Sequence, residues 1–142
     1  MRNATVKKLQ NELENGCALL IASVPNRFYV TGLETSDGYV LITDSKAYFL
    51  IDFRYVEKAK EIVSSCEVRL SSSPFKEIKE LCEENGIKRL YVENEYVSMS
   101  LLRQLSEGVQ VEIPECDRFD TLLRDLRAVK NEKELSLMKE AQ

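Results

Sequence analysis

The segment Asn26–Ala59, which reads NRFYVTGLETSDGYVLITDSKAYFLIDFRYVEKA, decides the fold of this chain. Residues 38–43 and 46–51 within it are rich in tyrosine, valine, isoleucine and phenylalanine, the residue types that favour β-strands. The polar pair Asp44-Ser45 lies between the two runs and forms a tight turn. The segment therefore predicts an antiparallel hairpin.

The chain on either side of this hairpin predicts further strands and an alternation with helices. The apolar run Cys17–Val24 ends at Pro25, and it predicts a buried strand that is followed directly by the hairpin, with no helix between them. The other predicted elements are a helix carrying Val6, Leu9 and Leu13 and capped by Gly16, a helix from Asp52 or Phe53 to Val63, a strand at 67–70, a helix from Ser73 to Asn85, a strand at 89–92, a helix from Ser98 to Gly108, and an edge strand at 109–113. Three antiparallel strands followed by helix-strand alternation indicate an α/β fold with a mixed sheet and helices on its faces.

The composition is that of one globular domain. The 142 residues are 44% hydrophobic and 31% charged, with a formal net charge of -4. An acidic chain has no overall attraction for nucleic acid or for an anionic membrane. No apolar run approaches the roughly 20 residues that span a bilayer, and the first residues are too polar for a signal peptide. We therefore expect a cytoplasmic protein that binds neither nucleic acid nor membrane.

The reactive residue types exclude several chemistries. The chain has no histidine, which excludes Ser-His and Cys-His nucleophilic pairs and any histidine-ligated metal. Its cysteines are widely spaced and form no C-x-x-C pair, so we expect reduced and mostly buried thiols. A zinc site would require the fold to gather all of them, which are Cys17, Cys66, Cys82 and Cys116.

Three motifs resemble the N-terminal domain of the creatinase/prolidase/aminopeptidase P family, whose members include enzymes that cut Xaa-Pro bonds. The motifs are Asn26-x-x-Tyr29-x-Thr31-Gly32, then Asp52-x-Arg54-Tyr55-x-Glu57-x-Ala59, and finally Leu126-Arg127-Ala128-Val129-Lys130 followed by Glu132, Glu134 and Ala141. The resemblance covers nearly the whole chain. It implies a ribonuclease H-like fold, which has the same order of elements as that predicted above.

The resemblance also implies a division of the chain. Residues 1–126 correspond to the N-terminal domain, and residues 127–142 to the start of a linker helix into a C-terminal pita-bread catalytic domain that this sequence does not include. The pattern predicts one short helix around Phe119, Leu122, Leu123 and Leu126, and a second helix that begins with a capping box at Asn131 and Glu134. The second helix could pack on its own domain or on the catalytic domain through Leu135, Leu137, Met138 and Ala141.

Asn26, Arg27, Phe28 and Tyr29 form a candidate substrate-access loop. A polar side chain, a cation and two aromatic rings before a Thr31-Gly32 bend are typical of a binding loop. By composition alone an equal alternative places both aromatic rings in the core and the asparagine in a turn. The resemblance favours a binding loop, because in such enzymes this part of one subunit approaches the catalytic pocket of its neighbour. A neutral amide there can donate hydrogen bonds to a substrate but supplies no charge.

The motif Asp52-Phe53-Arg54-Tyr55 is predicted to be structural, as is Thr31-Gly32. Asp52 is expected to cap a helix and Arg54 to be a solvated cation. A nuclease is the alternative, because acidic side chains on a ribonuclease H-like sheet could hold two Mg²⁺ ions. The acidic surface argues against a polyphosphate substrate, and Asp44 falls in an exposed turn. The carboxylates considered for such a site are Asp44, Asp52, Glu93 and Glu95.

The resemblance as a whole implies the non-catalytic domain of a Xaa-Pro metallopeptidase. We predict no catalytic residue and no metal ligand in this chain. The two divalent ions (Mn, Co or Zn) would be bound in the catalytic domain by two aspartates, one histidine and two glutamates. The expected partners are that catalytic domain, a second copy in a homodimer, and a proline-containing peptide. A scaffold protein whose catalytic domain has lost its metals is an alternative, and the choice between dipeptidase, aminopeptidase and another substrate such as creatine stays open.

Overall fold

A computed structural model of the protein describes the backbone of residues 2–140 and the side chains of residues 2–129. The described residues form helices and strands in an α/β order. These elements are α1 (Arg2–Asn11), β1 (Cys17–Ile21), α2 (Val24–Thr31), β2 (Tyr39–Thr43), β3 (Ala47–Ile51), α3 (Val56–Ile62), β4 (Glu67–Leu70), α4 (Pro74–Glu84), β5 (Arg89–Val92), α5 (Met99–Val109) and α6 (Arg118–Glu140). None of the described helices is long and apolar enough to cross a membrane.

The five strands form one mixed sheet in the order β4-β3-β2-β1-β5. The predicted hairpin is confirmed, because β2 pairs antiparallel with β3, and β1 pairs antiparallel with β2. The outer strands are parallel to their neighbours, β4 to β3 and β5 to β1. Since β2 alone among these strands runs in the opposite direction, the carboxyl ends of the other four lie at the same edge of the sheet. Binding sites of α/β sheets form at that edge.

Helices cover both faces of the sheet, which explains why its central strands are apolar along their whole length. Alternate residues of β1 point to opposite faces. Leu19 and Ile21 belong to the core beneath α1, α2, α3 and α6, where Phe119 is fully buried. Leu20 belongs to the core beneath α4 and α5, together with Leu105. The sheet is therefore fixed from both sides.

The largest correction concerns α2, because the sequence predicted no helix between the first strand and the hairpin. Pro25 was interpreted as the end of a strand, but it lies in the first turn of α2 after Ser23 at the N-cap position. Proline is favoured there because a helix leaves its first backbone N–H groups unpaired in any case. Gly32 ends the helix in a left-handed conformation, φ 81°, and its N–H donates to Phe28 O at 2.8 Å.

The structure also differs from the predicted elements at residues 109–113 and at the end of the first helix. The predicted edge strand at 109–113 is wrong, since Val109 ends α5 and the segment forms only an isolated bridge between Arg89 and Glu112. The first helix ends at Asn11, and Gly16, with φ 85°, forms the turn before β1 instead of capping that helix. Glu67–Leu70, Arg89–Val92 and the capping of α5 by Ser98 are confirmed.

The predicted pair of C-terminal helices is wrong, since α6 is continuous through Asn131. Phe119 and Leu123 anchor its first half in the core. The side chains of the predicted capping box and of Leu135, Leu137 and Met138 lie outside the described side chains, and Ala141 lies outside the described residues altogether.

Candidate functional site

The residues predicted as a substrate-access loop are helical. Asn26, Arg27, Phe28 and Tyr29 lie within α2, so the prediction of a loop is wrong in its local structure. The alternative placement does not hold either, because the two polar side chains are buried, Phe28 is exposed and Tyr29 is only half-buried. The proline directly before Asn26 was the sequence signal for this helix.

A buried carboxylate at the end of β5, the strand beside β1, holds the N-terminus of α2. Glu93 follows β5 and is 2% exposed. Its Oε1 accepts from the backbone N–H groups of Ala22 (2.6 Å) and Ser23 (2.8 Å). Its Oε2 accepts from the Ser23 hydroxyl (2.5 Å) and from Nδ2 of Asn26 (2.6 Å). A negative charge at a helix N-terminus is stabilised by the helix dipole and by the unpaired N–H groups, so Glu93 caps α2 in place of the serine hydroxyl.

Asn26 is therefore a structural partner of Glu93 in this chain. Its side chain is buried, and its Nδ2 is engaged by the carboxylate. Its Oδ1 finds no hydrogen-bond partner among the described residues. The amide group cannot reach a substrate unless α2 moves.

Arg27 is 4% exposed and lies against the loop that follows α2. Its Nη1 donates to Ala22 O, and its Nη2 donates to Thr35 O at 2.7 Å. Burial lowers the pKa of the Arg27 guanidinium, and the nearby Tyr96, Asp37 and Glu93 oppose that shift. The side chain thus fixes residues 33–38 to the end of β1.

The two aromatic residues of α2, Phe28 and Tyr29, differ in their exposure. Phe28 is 44% exposed, and the Arg2 guanidinium lies 5.8 Å from the centre of its ring. Tyr29 is half-buried, and its hydroxyl donates to Leu126 O in α6 at 3.0 Å. Phe28 is the one residue of the predicted four that is freely available to a partner at the surface.

Thr31 and Gly32 shape the exit from the helix, as the sequence predicted for a bend. The Thr31 hydroxyl donates to Arg27 O at 2.8 Å and accepts from Leu33 N at 3.2 Å. A Cβ at Gly32 would lie 2.7 Å from Nε of Arg2, closer than any normal contact. The flexible Arg2 side chain could move away from a Cβ, so it is the left-handed backbone, with φ 81°, that favours glycine there.

The motif Asp52-Phe53-Arg54-Tyr55 forms a turn between β3 and α3, and its predicted capping role needs correction. Tyr55 occupies the N-cap position of α3, so Asp52 does not cap that helix. Oδ1 of Asp52 accepts instead from Arg54 N at 3.0 Å within the turn. Arg54 is exposed to solvent as expected, and its Nη2 also pairs with Asp52 (2.7 Å) and with Asp37 (2.8 Å). The hydrogen bonds from Arg54 lower the pKa of Asp52.

These elements surround a cleft of about 360 Å³ at the carboxyl edge of the sheet. Arg27 and Asp52, two of the residues singled out from the sequence, both line it, and Asn26 and Phe28 do not. Arg54 forms ion pairs with two of the lining residues, Asp37 and Asp52. Sequence patterns missed the remaining walls, which come from six separate segments: Ala22, Ser36, Asp37, Gly38, Tyr39, Leu50, Ser71, Ser72, Pro74, Tyr96 and Leu101.

The acidic residues considered for a nuclease serve other purposes. Glu93 is enclosed by donors from α2, Glu95 pairs with Arg124 at 2.5 Å, and Asp44 is exposed in the hairpin turn. Among the residues whose side chains are described, no three His, Cys, Asp or Glu side chains form a group that could hold a metal ion. The cysteines are free thiols, and the prediction that most are buried is confirmed for three of the four.

Comparison with known proteins identifies the family. Residues 5–129 match the family model described as the creatinase/prolidase N-terminal domain. The chain belongs to this family. The domain is 30% identical over 143 residues to the Xaa-Pro dipeptidase of Pyrococcus horikoshii, a match that covers 98% of this chain and 38% of that enzyme. The domain spans between 23% and 38% of the length of the curated relatives it matches.

Solved structures agree with this family. The domain superposes on the Xaa-Pro aminopeptidase of Streptococcus thermophilus with a TM-score of 0.73 and 27% identity, covering 87% of this chain and 92% of that one. It also superposes on the N-terminal domain of the peptidase PepQ of Mycobacterium tuberculosis with a TM-score of 0.70 at 22% identity, covering 86% and 97% of the two chains. The latter likeness concerns the fold alone.

Proposed function

We propose that this chain is the non-catalytic N-terminal domain of a metallopeptidase that hydrolyses Xaa-Pro peptides. The observation that carries the proposal is the match to the Xaa-Pro dipeptidase along 98% of the chain. Because that match covers 38% of the dipeptidase, the catalytic activity, the substrate and the partners belong to the proposal. Either branch, dipeptidase or aminopeptidase, fits the relatives named above.

Within that enzyme the domain shapes substrate access through the cleft at the carboxyl edge of the sheet. The burial of Asn26 and Arg27 supports an indirect role for both, in which they position α2 and residues 33–38. Asp37, which pairs with Arg54, and Tyr96 are exposed on the cleft wall, where both can face a substrate peptide. Phe28 would contact a neighbouring domain or subunit from the outer side of α2.

The domain also contributes to subunit association in a homodimer, and it packs against its own catalytic domain. Large exposed apolar side chains next to the cleft support this part of the proposal. Phe53 is 79% exposed beside Asp52, and Leu70 is 59% exposed beside Ser71. Exposed apolar side chains of this size occur at protein interfaces.

The metal pair of such an enzyme belongs to the catalytic domain. The described side chains of this chain do not fit a metal pair, since they contain no suitable group of His, Cys, Asp or Glu. Two divalent ions, Mn, Co or Zn, would be held by carboxylates and a histidine elsewhere in the enzyme, and they would activate a water molecule for attack on the scissile carbonyl. The residues of the present chain position substrate and take no part in that step.

Two finer assignments follow the same reasoning. The fold is ribonuclease H-like, an assignment supported by the antiparallel β1-β2-β3 unit with β5 parallel to β1. The protein is cytoplasmic, and its free thiols support that location because disulfides are rare in reducing compartments.

The test is a paired peptidase assay on the full-length enzyme with Mn²⁺ or Co²⁺. The two substrates are a Xaa-Pro dipeptide and a Xaa-Pro-Yaa tripeptide, and the present chain alone is the control. We expect the full-length protein to cleave at least one substrate and the chain alone to cleave neither. Cleavage of the dipeptide alone identifies a dipeptidase, and cleavage of the tripeptide identifies an aminopeptidase.

Three results would overturn parts of the proposal. Hydrolysis by the chain alone would show that it is catalytic. A full-length protein that binds no metal and cleaves neither peptide would instead be a scaffold protein. If metal is bound and neither peptide is cleaved, the Xaa-Pro specificity is wrong.

A further inference from the structure

The turn that follows β5 is bound on both sides by separate helices. Glu93 at its start accepts hydrogen bonds from the N-terminus of α2. The next two backbone N–H groups donate to one carboxylate in the first turn of α6: Asn94 N to Oδ1 of Asp120 and Glu95 N to Oδ2, both at 2.9 Å. Asp120 is 8% exposed. Three consecutive residues thus connect α6 with α2.

Further contacts keep this turn rigid. The Asn94 side chain donates to Val92 O at 3.0 Å and to Cys116 O at 2.6 Å, and it accepts from Cys116 N at 3.2 Å. Arg124, one turn further along α6 than Asp120, pairs with Glu95 at 2.5 Å. The turn therefore cannot change its shape without breaking contacts to both helices.

We propose that Glu93 is a positioning residue that couples the orientation of α6 to the cleft. A displacement of α6 moves Asp120, and with it the turn that carries Glu93. The buried carboxylate cannot leave its donors unpaired without a large desolvation cost, so α2 follows. Arg27 then carries the displacement to Thr35 O and the loop that lines the cleft. The effect of this coupling on substrate access rests on the proposed function.

The coupling can be tested on the chain itself by NMR. The amide protons of Ala22 and Ser23 are the reporters, because both donate to Oε1 of Glu93. Asp120→Asn keeps the size of the side chain but leaves one of the two turn N–H groups without its acceptor. We expect this variant to shift both reporter resonances and those of residues 33–38, and to accelerate hydrogen exchange at the reporters several-fold.

Two control variants separate this route from others. Tyr29→Phe removes the direct hydrogen bond between α2 and Leu126 O, and Tyr48→Phe removes a buried hydroxyl that accepts from Asn85 in the opposite core. Neither should move the reporter resonances. The coupling would be overturned if Asp120→Asn shifted only the resonances of Asn94, Glu95 and α6. It would also be overturned if the single variant Tyr29→Phe shifted the reporter resonances.

A double-variant cycle measures the same coupling thermodynamically. Asp120 and Asn26 both contact the Glu93 turn but from opposite sides. We expect the unfolding constant of the combined Asp120→Asn, Asn26→Leu variant to differ from the product of the two single effects by at least about five-fold. Asp120→Asn combined with Tyr48→Phe should agree with that product within about two-fold. If the unfolding constant of the combined variant equals the product of the single effects in both cycles, the proposal is refuted.

If Asp120→Asn fails to fold, Arg124→Gln replaces it in the spectra. This variant removes the exposed ion pair to Glu95, and it should shift the Ala22 and Ser23 amides in the same direction by a smaller amount. Unchanged reporter resonances in Arg124→Gln would then count against the coupling. None of these experiments uses a substrate, so a negative peptidase assay does not refute the coupling. Conversely, double-variant cycles that show no coupling do not refute the peptidase assignment.

Discussion

Replacing Asn26 with aspartate should make the stability of this domain strongly dependent on pH. Nδ2 of Asn26 donates to Oε2 of Glu93 at 2.6 Å in a site that both side chains share away from water. Asn26→Asp places a second carboxyl at that distance. Two ionised carboxylates cannot share a buried site, so the introduced group must hold a proton in the folded state.

The loss of unfolding free energy follows from the cost of keeping that proton bound in the folded state. An aspartate in an unfolded chain has a pKa of about 3.9, and a buried neighbouring carboxylate raises the pKa of such a group by about 3 units. Each unit corresponds to about 1.4 kcal/mol, so the variant should lose about 4 kcal/mol of unfolding free energy at pH 7. At about pH 5 the loss should be about 2 kcal/mol smaller, because the folded state binds a proton that the unfolded chain does not, and binding that proton costs less free energy as the pH falls.

The sign of this dependence is specific to the carboxyl pair. The introduced group has a higher pKa in the folded state than in the unfolded state. Its protonated form therefore supports folding fully below the unfolded pKa, and that support is lost as the pH rises through the folded pKa. Below about pH 4 its O–H can donate to Glu93 in place of the amide, and little destabilisation should remain.

Urea denaturation of the variant and the wild type at about pH 5 and pH 7 measures the difference. The matched control is Asn26→Leu, which removes the donor without adding a carboxyl. It should cost about 1.5–3 kcal/mol at both pH values. An equal loss at both pH values for Asn26→Asp would refute the reasoning, because it would mean that the pair is not forced to share a proton.

Other substitutions test the core, the α2 exit and the titrating groups. Phe119→Ala removes a fully buried ring and should cost about 3–5 kcal/mol, seen as a lower urea midpoint with an unchanged slope. Gly32→Ala should cost about 1–2 kcal/mol by the same measurement, because its φ is 81°; a neutral result would contradict the left-handed backbone. Asp52 has a lowered pKa, so its support for folding is present above the unfolded pKa and is lost as the pH falls through the folded one; Arg54→Gln should raise that pKa in a ¹³C NMR titration of the carboxyl group. Burial raises the pKa of Cys66 to about 11, so its thiol should react with a disulfide reagent at about pH 8 only after unfolding; fast labelling of the native thiol would disprove its burial.

The sequence by itself determined the elements whose signal is local. The hairpin of β2 and β3 follows from two strand-forming runs separated by a polar turn, and the structure places both where the pattern predicts them. Ser98 caps α5 as expected, since its hydroxyl and the N–H that it accepts are three residues apart. The motifs around Thr31-Gly32 and Asp52 also led to the correct family, because a family resemblance depends on residue identity and not on geometry.

Tertiary structure alone decided the candidate site. Glu93 lies about 70 positions along the chain from the α2 residues that it holds, and no periodicity connects them. Local sequence also could not show that Arg27 is buried, since a cation after a proline is equally suitable for an exposed loop. A buried charge is stable only when partners surround it, here the carbonyl oxygens of Ala22 and Thr35, and only the folded chain directs both toward the guanidinium. The cleft exists because the sheet brings the carboxyl ends of four strands to one edge, and that meeting is a property of the folded chain.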